Sequence, residues 1–179
     1  LNIQRIASGV NVAPFLWEVQ ANEHLWDENP SRTDNPLSPH HGLSDIWLRY
    51  APPGVDGSQP HASVWYDSPI VAAAQDLVYP LMSMVRGDEL GGVLLTKIPA
   101  GMECKPHTDP GWHARYYQKY AIQIQSAPGQ SFNFDNEALV TRPGDVFWFD
   151  NSQTHWVPNP TLHERMTLIV CIKTNRKGP

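Results

Sequence analysis

Only two cysteines, Cys104 and Cys171, occur in the 179 residues. Two thiols cannot staple a disulfide scaffold, so a reducing, cytoplasmic setting is expected, with a single bridge left open. Long apolar runs are also missing. The stretch from Ile169 to Ile172 is among the longest, and it is far too short to span a bilayer, so no membrane partner is expected. No charged segment followed by an apolar one opens the chain, so no signal peptide is expected. The first residue is Leu1 rather than Met, which leaves a leader or upstream domain open. Positive charge is scarce: 13 Lys and Arg stand against 18 Asp and Glu, for a net charge of −5. Nucleic acid needs a basic stripe to neutralise phosphates, so it is not an expected partner. The one basic cluster, Lys173, Arg176 and Lys177, reads as a solvated tail.

Histidine and tryptophan, by contrast, are plentiful, at 8 and 7. Together with 17 prolines, they suit a β architecture around a polar pocket better than a helix bundle. The length fits one domain spanning residues 1–179. Its character changes near residue 90. Before that point Asn29-Pro30, Asn35-Pro36, Ser38-Pro39, Pro52-Pro53-Gly54 and Gln59-Pro60 mark turns. One strand is expected there, Asp45 to Tyr50. A helix is expected from Ser68 to Val85, with an apolar stripe of Ile70, Ala73, Ala74, Leu77 and Leu81 and with Pro80 kinking or ending it. Residues 1–90 therefore read as a flanking, substrate-side region and residues 91–175 as the core.

After Gly91-Gly92 the pattern is one of short strands: Val93–Ile98, Lys119–Gln125, Ser131–Phe134, Ala138–Thr141, Val146–Phe149, Thr154–Val157 and Arg165–Lys173. Pro99-Ala100-Gly101, Ala127-Pro128-Gly129 and Arg142-Pro143-Gly144-Asp145 supply the turn residues between them. So many short strands in so little chain predict a mainly β protein, a jelly roll whose mouth can hold a ligand, with helices flanking its N-terminal side.

The chemistry begins at His107-Thr108-Asp109. In extended chain, residues i and i+2 face the same way, so an imidazole and a carboxylate can grip one ion. Alone the spacing is weak: eight His and eleven Asp yield about half an HxD by chance. His155 follows a Gly-initiated strand, and Arg165 comes ten residues later, with Thr167 on the same face of the last strand. Two imidazoles and one carboxylate on one face of an octahedron are the ligand set of non-haem Fe(II) oxygenases. An Arg guanidinium can bind a carboxylate bidentately, helped by a hydroxyl two residues on. That conjunction is far rarer than any of its parts. A rival frame, His163 ten residues before Lys173, falls in a loop. His24, His61 and His113 read as surface or loop residues, and His40-His41 as candidates for the pocket mouth. Trp112, Trp148, Trp156, Arg115 and Arg49 are further pocket candidates. A zinc hydrolase could use the same ligands, but no HExxH helix or cysteine pair accompanies them. A cupin-like binding or sensor protein that keeps a metal without turnover is the alternative.

The stretch from Leu94 to Thr174 resembles the aspartyl/asparaginyl β-hydroxylase-like branch of the 2-oxoglutarate- and Fe(II)-dependent oxygenases. The likeness runs through Ile98-Pro99-Ala100-Gly101, His107-Thr108-Asp109, Pro143-Gly144-Asp145-Val146-Phe147-Trp148-Phe149-Asp150-Asn151-Ser152, His155 and Glu164-Arg165-Met166-Thr167. It implies a double-stranded β-helix and hydroxylation of an amino acid, peptidyl residue or similar small substrate. O2 and 2-oxoglutarate would be consumed at an iron held by His107, Asp109 and His155. Arg165 and Thr167 would bind the cosubstrate, and Thr96 matches a cosubstrate-binding Ser of the family. The family's Arg-x-His on the strand after HxD stands here as Lys119-Tyr120-Ala121, where Lys119 would assist with a carboxylate. Animal aspartyl hydroxylases carry a small residue where Asp109 stands. The resemblance therefore points toward bacterial and phage-type members and away from a halogenase.

Overall fold

The most apolar strands of the chain earn that composition by being buried on both faces, as central strands covered on two sides must be. In Arg165–Lys173, Met166, Leu168, Val170 and Ile172 join a core that also holds Phe15, Val19, Ala74, Leu77, Val78 and Leu81 from two helices. The alternate residues Arg165, Thr167, Ile169 and Cys171 point the other way, toward a second sheet. The computed structural model describes residues 1–175, so the predicted tail residues Arg176 and Lys177 lie outside the described residues.

In chain order the elements are β1 (Ile3–Ala7), α1 (Ala13–Ala21), β2 (Ser44–Tyr50), β3 (Val64–Trp65), α2 (Val71–Val85), β4 (Glu89–Ile98), β5 (Glu103–His107), α3 (Gly111–Tyr116), β6 (Gln118–Gln125), β7 (Phe132–Phe134), β8 (Glu137–Leu139), β9 (Val146–Phe149), β10 (His155–Pro158) and β11 (Arg165–Lys173). They form a seven-stranded sheet, β1-β9-β6-β11-β4-β2-β3, facing a four-stranded sheet, β5-β10-β7-β8. The described strand pairs are antiparallel. This is the expected mainly β jelly roll, a double-stranded β-helix with N-terminal helices on its outer face. A second apolar cluster, including Phe132, Phe134, Phe147, Phe149 and Val157, fills the space between the sheets.

The turns work as read. Gly101, Gly129 and Gly144 all take positive φ. At Gly144 a side chain is excluded twice over, because a Cβ would also lie 2.5 Å from the Val10 carbonyl oxygen. Three expectations change. Of the two outcomes expected at Pro80, it does not end its helix: α2 continues to Val85, and Pro80 lies on the solvent side. There the Asp76 carbonyl that loses its donor faces water. Gly91-Gly92 is no boundary, since β4 runs through both. Residues before 90 also contribute to the sheet, β1 pairing with β9 and β2 with β4. Finally, Lys173 is not a solvated tail residue. Its Nζ donates to the Tyr116 hydroxyl at 2.7 Å and sits over that ring.

Candidate active site

Strand register brings the distant histidines together. β5 and β10 pair antiparallel with His107 directly opposite His155, so both imidazoles leave the same face, with ring centroids 4.4 Å apart. β5 escaped the sequence reading because Glu-Cys-Lys-Pro-His has no apolar alternation. It is an edge strand of the smaller sheet, where Pro106 costs no interior ladder bond. Asp109 follows in the loop, its N–H donating to the Asn151 carbonyl at 2.9 Å. Asn151 itself sits in a tight turn in which Asp150 Oδ1 accepts from the Ser152 N–H and hydroxyl. The Asn151 side chain also donates to the Ala114 carbonyl at 3.1 Å. The Asp-Asn-Ser segment thus fixes the carboxylate as well as the return of the chain to His155.

Each imidazole is oriented by its backbone. Nδ1 of His107 lies 2.7 Å from the Lys105 carbonyl, and Nδ1 of His155 lies 2.9 Å from the Gln153 carbonyl. A ring that donates from Nδ1 keeps Nε2 as its lone-pair nitrogen, the tautomer a metal requires. His107 Nε2 is buried without a hydrogen-bond partner, 3.4 Å from Asp109 Oδ1. The ligand atoms of His107, Asp109 and His155 lie within 4.8 Å of one another. Burial opposes charge on His107, but Asp109, Cys104 and the Lys105 carbonyl outweigh it and raise its pKa to about 10. Burial likewise opposes ionisation of Asp109. Lys119, 3.4 Å away, and the two histidines nevertheless hold its carboxyl far below the usual range. Burial lowers the pKa of His155 and keeps its imidazole neutral, and two imidazoles with one carboxylate form a donor set that fits a divalent cation. A second group, His40, Cys104 and His107, also converges, but it shares His107 and contains no carboxylate.

An inner cavity of about 70 Å³ runs from these ligands between the sheets, lined by Thr96, Ile98, Phe132, Phe149 and Thr167 among others. Arg165 lies beyond Thr167 on the same strand face, opposite the cavity-lining Ile98. Its side chain is fully buried, and none of its three guanidinium nitrogens has a hydrogen-bond partner among the described residues. Burial alone lowers its pKa to about 10. The loop leading into it is pinned by Gln130, whose Nε2 donates to Asn159, Thr161 and the His163 carbonyl. Thr167 exchanges hydrogen bonds with Gln123.

Thr96 lines the cavity, but its hydroxyl is engaged. It donates to Asp45 Oδ1 at 2.9 Å and accepts from Arg32 Nη2 at 2.8 Å. Arg32 also grips Asp45 with Nε and Nη2, at 2.8 and 3.0 Å. This cluster was not foreseen. Arg32 sits among proline turns with no periodicity, and its only signal is Asp45, a carboxylate near the start of a strand and itself buried.

A wider outer chamber of about 420 Å³ opens on the other side of His107 and Asp109, with Arg32, His40, Trp47, Tyr50 and His113 in its walls. Of the expected pair, His40 lines the chamber, its ring 4.7 Å from that of His107, whereas His41 is exposed with its Nδ1 3.1 Å from the Thr33 carbonyl. His113 is no surface residue: it lies on α3, half-buried, and its Nε2 accepts from the Gly92 N–H at 3.3 Å. Trp112 and Arg115 line a separate groove. Trp148 packs into the helix-side core, and Arg49 caps the Leu90 and Gly91 carbonyls. Trp156 adjoins His155 on β10, so it faces away from the site. His163 is exposed in its loop, and both cysteines are buried and unbridged.

The architecture is that of the double-stranded β-helix oxygenases. A Burkholderia pseudomallei oxidoreductase of the 2OG-Fe(II) oxygenase family superposes with a TM-score of 0.57 at 15% identity over 98% of both chains. A Pseudomonas putida prolyl-4-hydroxylase does so with 0.62 at 14% identity, over 99% of this chain and 94% of that one. A Trichoplax adhaerens prolyl hydroxylase, solved with a hypoxia inducible factor oxygen degradation domain peptide fragment, gives 0.61 at 12% identity, over 96% and 82%. No curated protein matches the chain by sequence. Residues 72–174, more than half of the chain, match the pattern of the aspartyl/asparaginyl β-hydroxylases. The chain belongs to the aspartyl/asparaginyl β-hydroxylase family, and its activity class is that of a 2-oxoglutarate- and Fe(II)-dependent hydroxylase.

Proposed function

We propose that His107, Asp109 and His155 hold Fe(II), that Arg165 and Thr167 receive the distal carboxylate of 2-oxoglutarate, and that the outer chamber holds the substrate, an amino acid, a peptidyl residue or a similar small molecule. The observation that carries this reading is Arg165. A buried guanidinium without a counter-charge is costly, and a carboxylate presented along the face of β11 would satisfy it bidentately. It lies on the strand whose next inward residue, Thr167, lines the cavity beside the histidine pair.

When bound, the metal and cosubstrate supply coupled chemistry: 2-oxoglutarate and O2 become succinate and CO2, and one oxygen atom enters a substrate C–H bond. The chain's own residues prepare for this. The Lys105 and Gln153 carbonyls fix the imidazole tautomers, and Lys119 keeps Asp109 ionised and in place. Thr96, tied into the Arg32–Asp45 pair, lines the inner cavity, and Arg32 borders both chambers. The apolar wall of Phe132, Phe149 and Val157 excludes water from the inner cavity, which strengthens the Arg165–carboxylate contact.

The test is anaerobic addition of Fe(II) and 2-oxoglutarate to the metal-free protein, followed by its visible charge-transfer absorption. The band is expected with both additions and not with Fe(II) alone, and admission of oxygen should yield succinate. A protein that binds Fe(II) without the band, and forms no succinate, would leave a metal-binding role without turnover.

A further inference from the structure

The outer chamber is lined on one side by two cations, Arg32 and Lys119, whose donor capacity the iron and cosubstrate reading does not exhaust. Arg32 spends Nε and Nη2 on Asp45 and Thr96, but its Nη1 makes no hydrogen bond to the described residues. Its side chain keeps 26% of its surface accessible, and that surface borders both chambers. Lys119 reaches into the same space, with Asp109 3.4 Å from its Nζ and with donor capacity to spare. Each cation opposes the charge of the other. The indole N–H of Trp47, in the same wall, is buried without an acceptor.

The charges do not balance. Among the described residues, Arg32, Lys119 and Arg165 face two carboxylates, Asp45 and Asp109. His113, in the same wall, adds no charge: burial first, then Lys119, holds its pKa down to about 3. Burial keeps the Cys171 thiol protonated. Fe(II) and dianionic 2-oxoglutarate cancel each other, so the loaded site keeps one unmatched positive charge, a costly state in a dry cavity.

Resting on the reading above, we propose that the substrate brings one uncompensated carboxylate, held between Arg32 Nη1 and Lys119, with its carbon body against Trp47 and Tyr50. An ammonium group would find no free carboxylate among the described lining residues, because Arg32 occupies both oxygens of Asp45 and Asp109 serves Lys119 and the metal. The preferred substrates are therefore N-acylated amino acids, acidic peptide side chains or peptide C-termini, rather than free α-amino acids.

The experiment titrates the anaerobic Fe(II)–2-oxoglutarate holoenzyme calorimetrically with the N-acetyl-L-amino acids, their C-terminal amides and the free amino acids. N-acetyl-aspartic acid α-amide is included as the side-chain carboxylate. Saturable binding is expected for one or a few acids and not for their uncharged amides. Arg32→Gln should weaken that binding by about 10- to 100-fold, and Arg32→Lys by less, while the charge-transfer band keeps its 2-oxoglutarate dependence in both. Preference for free amino acids or amides, or no binding by any acid, overturns the proposal. So does loss of the band in Arg32→Gln, which would place Arg32 on the cosubstrate. The band in the wild-type protein is read first, so failure of the cosubstrate reading is seen separately. Should Arg32→Gln not fold, the acid–amide comparison on the wild-type enzyme still decides.

Discussion

Replacing Arg165 with methionine should stabilise the protein and abolish its response to 2-oxoglutarate at once. In the cosubstrate-free chain the guanidinium is buried with no protein partner, and burial alone pulls its pKa to about 10. Exchanging a buried charged group for an apolar side chain of similar volume typically gains about 1–4 kcal/mol. In a domain of this size that is a rise in Tm of roughly 2–4 °C per kcal/mol. The native Arg165 recovers its cost only when a carboxylate arrives. A cosubstrate at a hundred times its dissociation constant adds about 2.7 kcal/mol of stability to the wild-type protein. In Arg165→Met the lost bidentate contact leaves little of that gain. The assay is thermal unfolding followed by far-ultraviolet circular dichroism, with Mn(II) in place of Fe(II) to prevent turnover, each protein with and without 2-oxoglutarate. The expected pattern is a crossed one: the variant melts higher without cosubstrate, and only the wild-type protein shifts upward with it. A variant that melts lower without cosubstrate, or that still shifts with it, would refute the role given to Arg165.

Metal binding should be coupled to proton release. In the folded, metal-free chain the pKa of His107 is raised to about 10 from 6.5. That contribution to stability is complete below pH 6.5 and is lost as pH climbs through about 10. A metal must displace this proton, so Mn(II) should bind more tightly from pH 6.5 toward pH 9, with about one proton released per ion, read by calorimetry in buffers of different ionisation enthalpy. Pro80→Ala should stabilise the protein by about 1–3 kcal/mol, because an exposed mid-helix proline is replaced at no cost in packing; a denaturant midpoint at or below that of the wild-type protein would contradict it. Gly144→Ala should destabilise by about 2–4 kcal/mol, since φ is +86° and the Val10 carbonyl lies 2.5 Å from the new Cβ; chemical denaturation checks it. Gln130→Ala should loosen the loop at 159–163 and lower 2-oxoglutarate affinity without touching the ligand, which titration of the charge-transfer band measures.

The strands covered on two sides announced themselves, because β4, β6, β9 and β11 must each present an apolar face to a core. Their turns were equally legible, with glycine at positions where φ is positive. The proposed site residues His107, Asp109, His155 and Arg165 stood out because the proposed chemistry demands those residue types and the strand order limits their spacing. β5 could not: an edge strand facing water on one side needs no apolar pattern. β1 was missed as well, a short strand paired only along β9 within its sheet. α1 is brief, and its inward residues reduce to Phe15 and Val19. Arg32 was invisible for a different reason. Its role depends on a long-range meeting with Asp45 and Thr96, and the proline-rich loop that carries it there leaves no periodic trace.

That loop explains why the proposed metal ligands and the proposed substrate side differ in legibility. The ligands are set by strand register, with His107 locked opposite His155 and each Nδ1 tied to a carbonyl two residues back. Their geometry therefore exists before any ion arrives, and metal binding need order little of the chain. The outer chamber is closed instead by irregular backbone around Arg32 and His40. Loops of this kind can change length and composition without disturbing the sheets beneath them. A hydroxylase built this way can keep its reaction while its N-terminal half is rewritten for another substrate. In this chain that half contributes a cation, Arg32, at the wall between the two chambers.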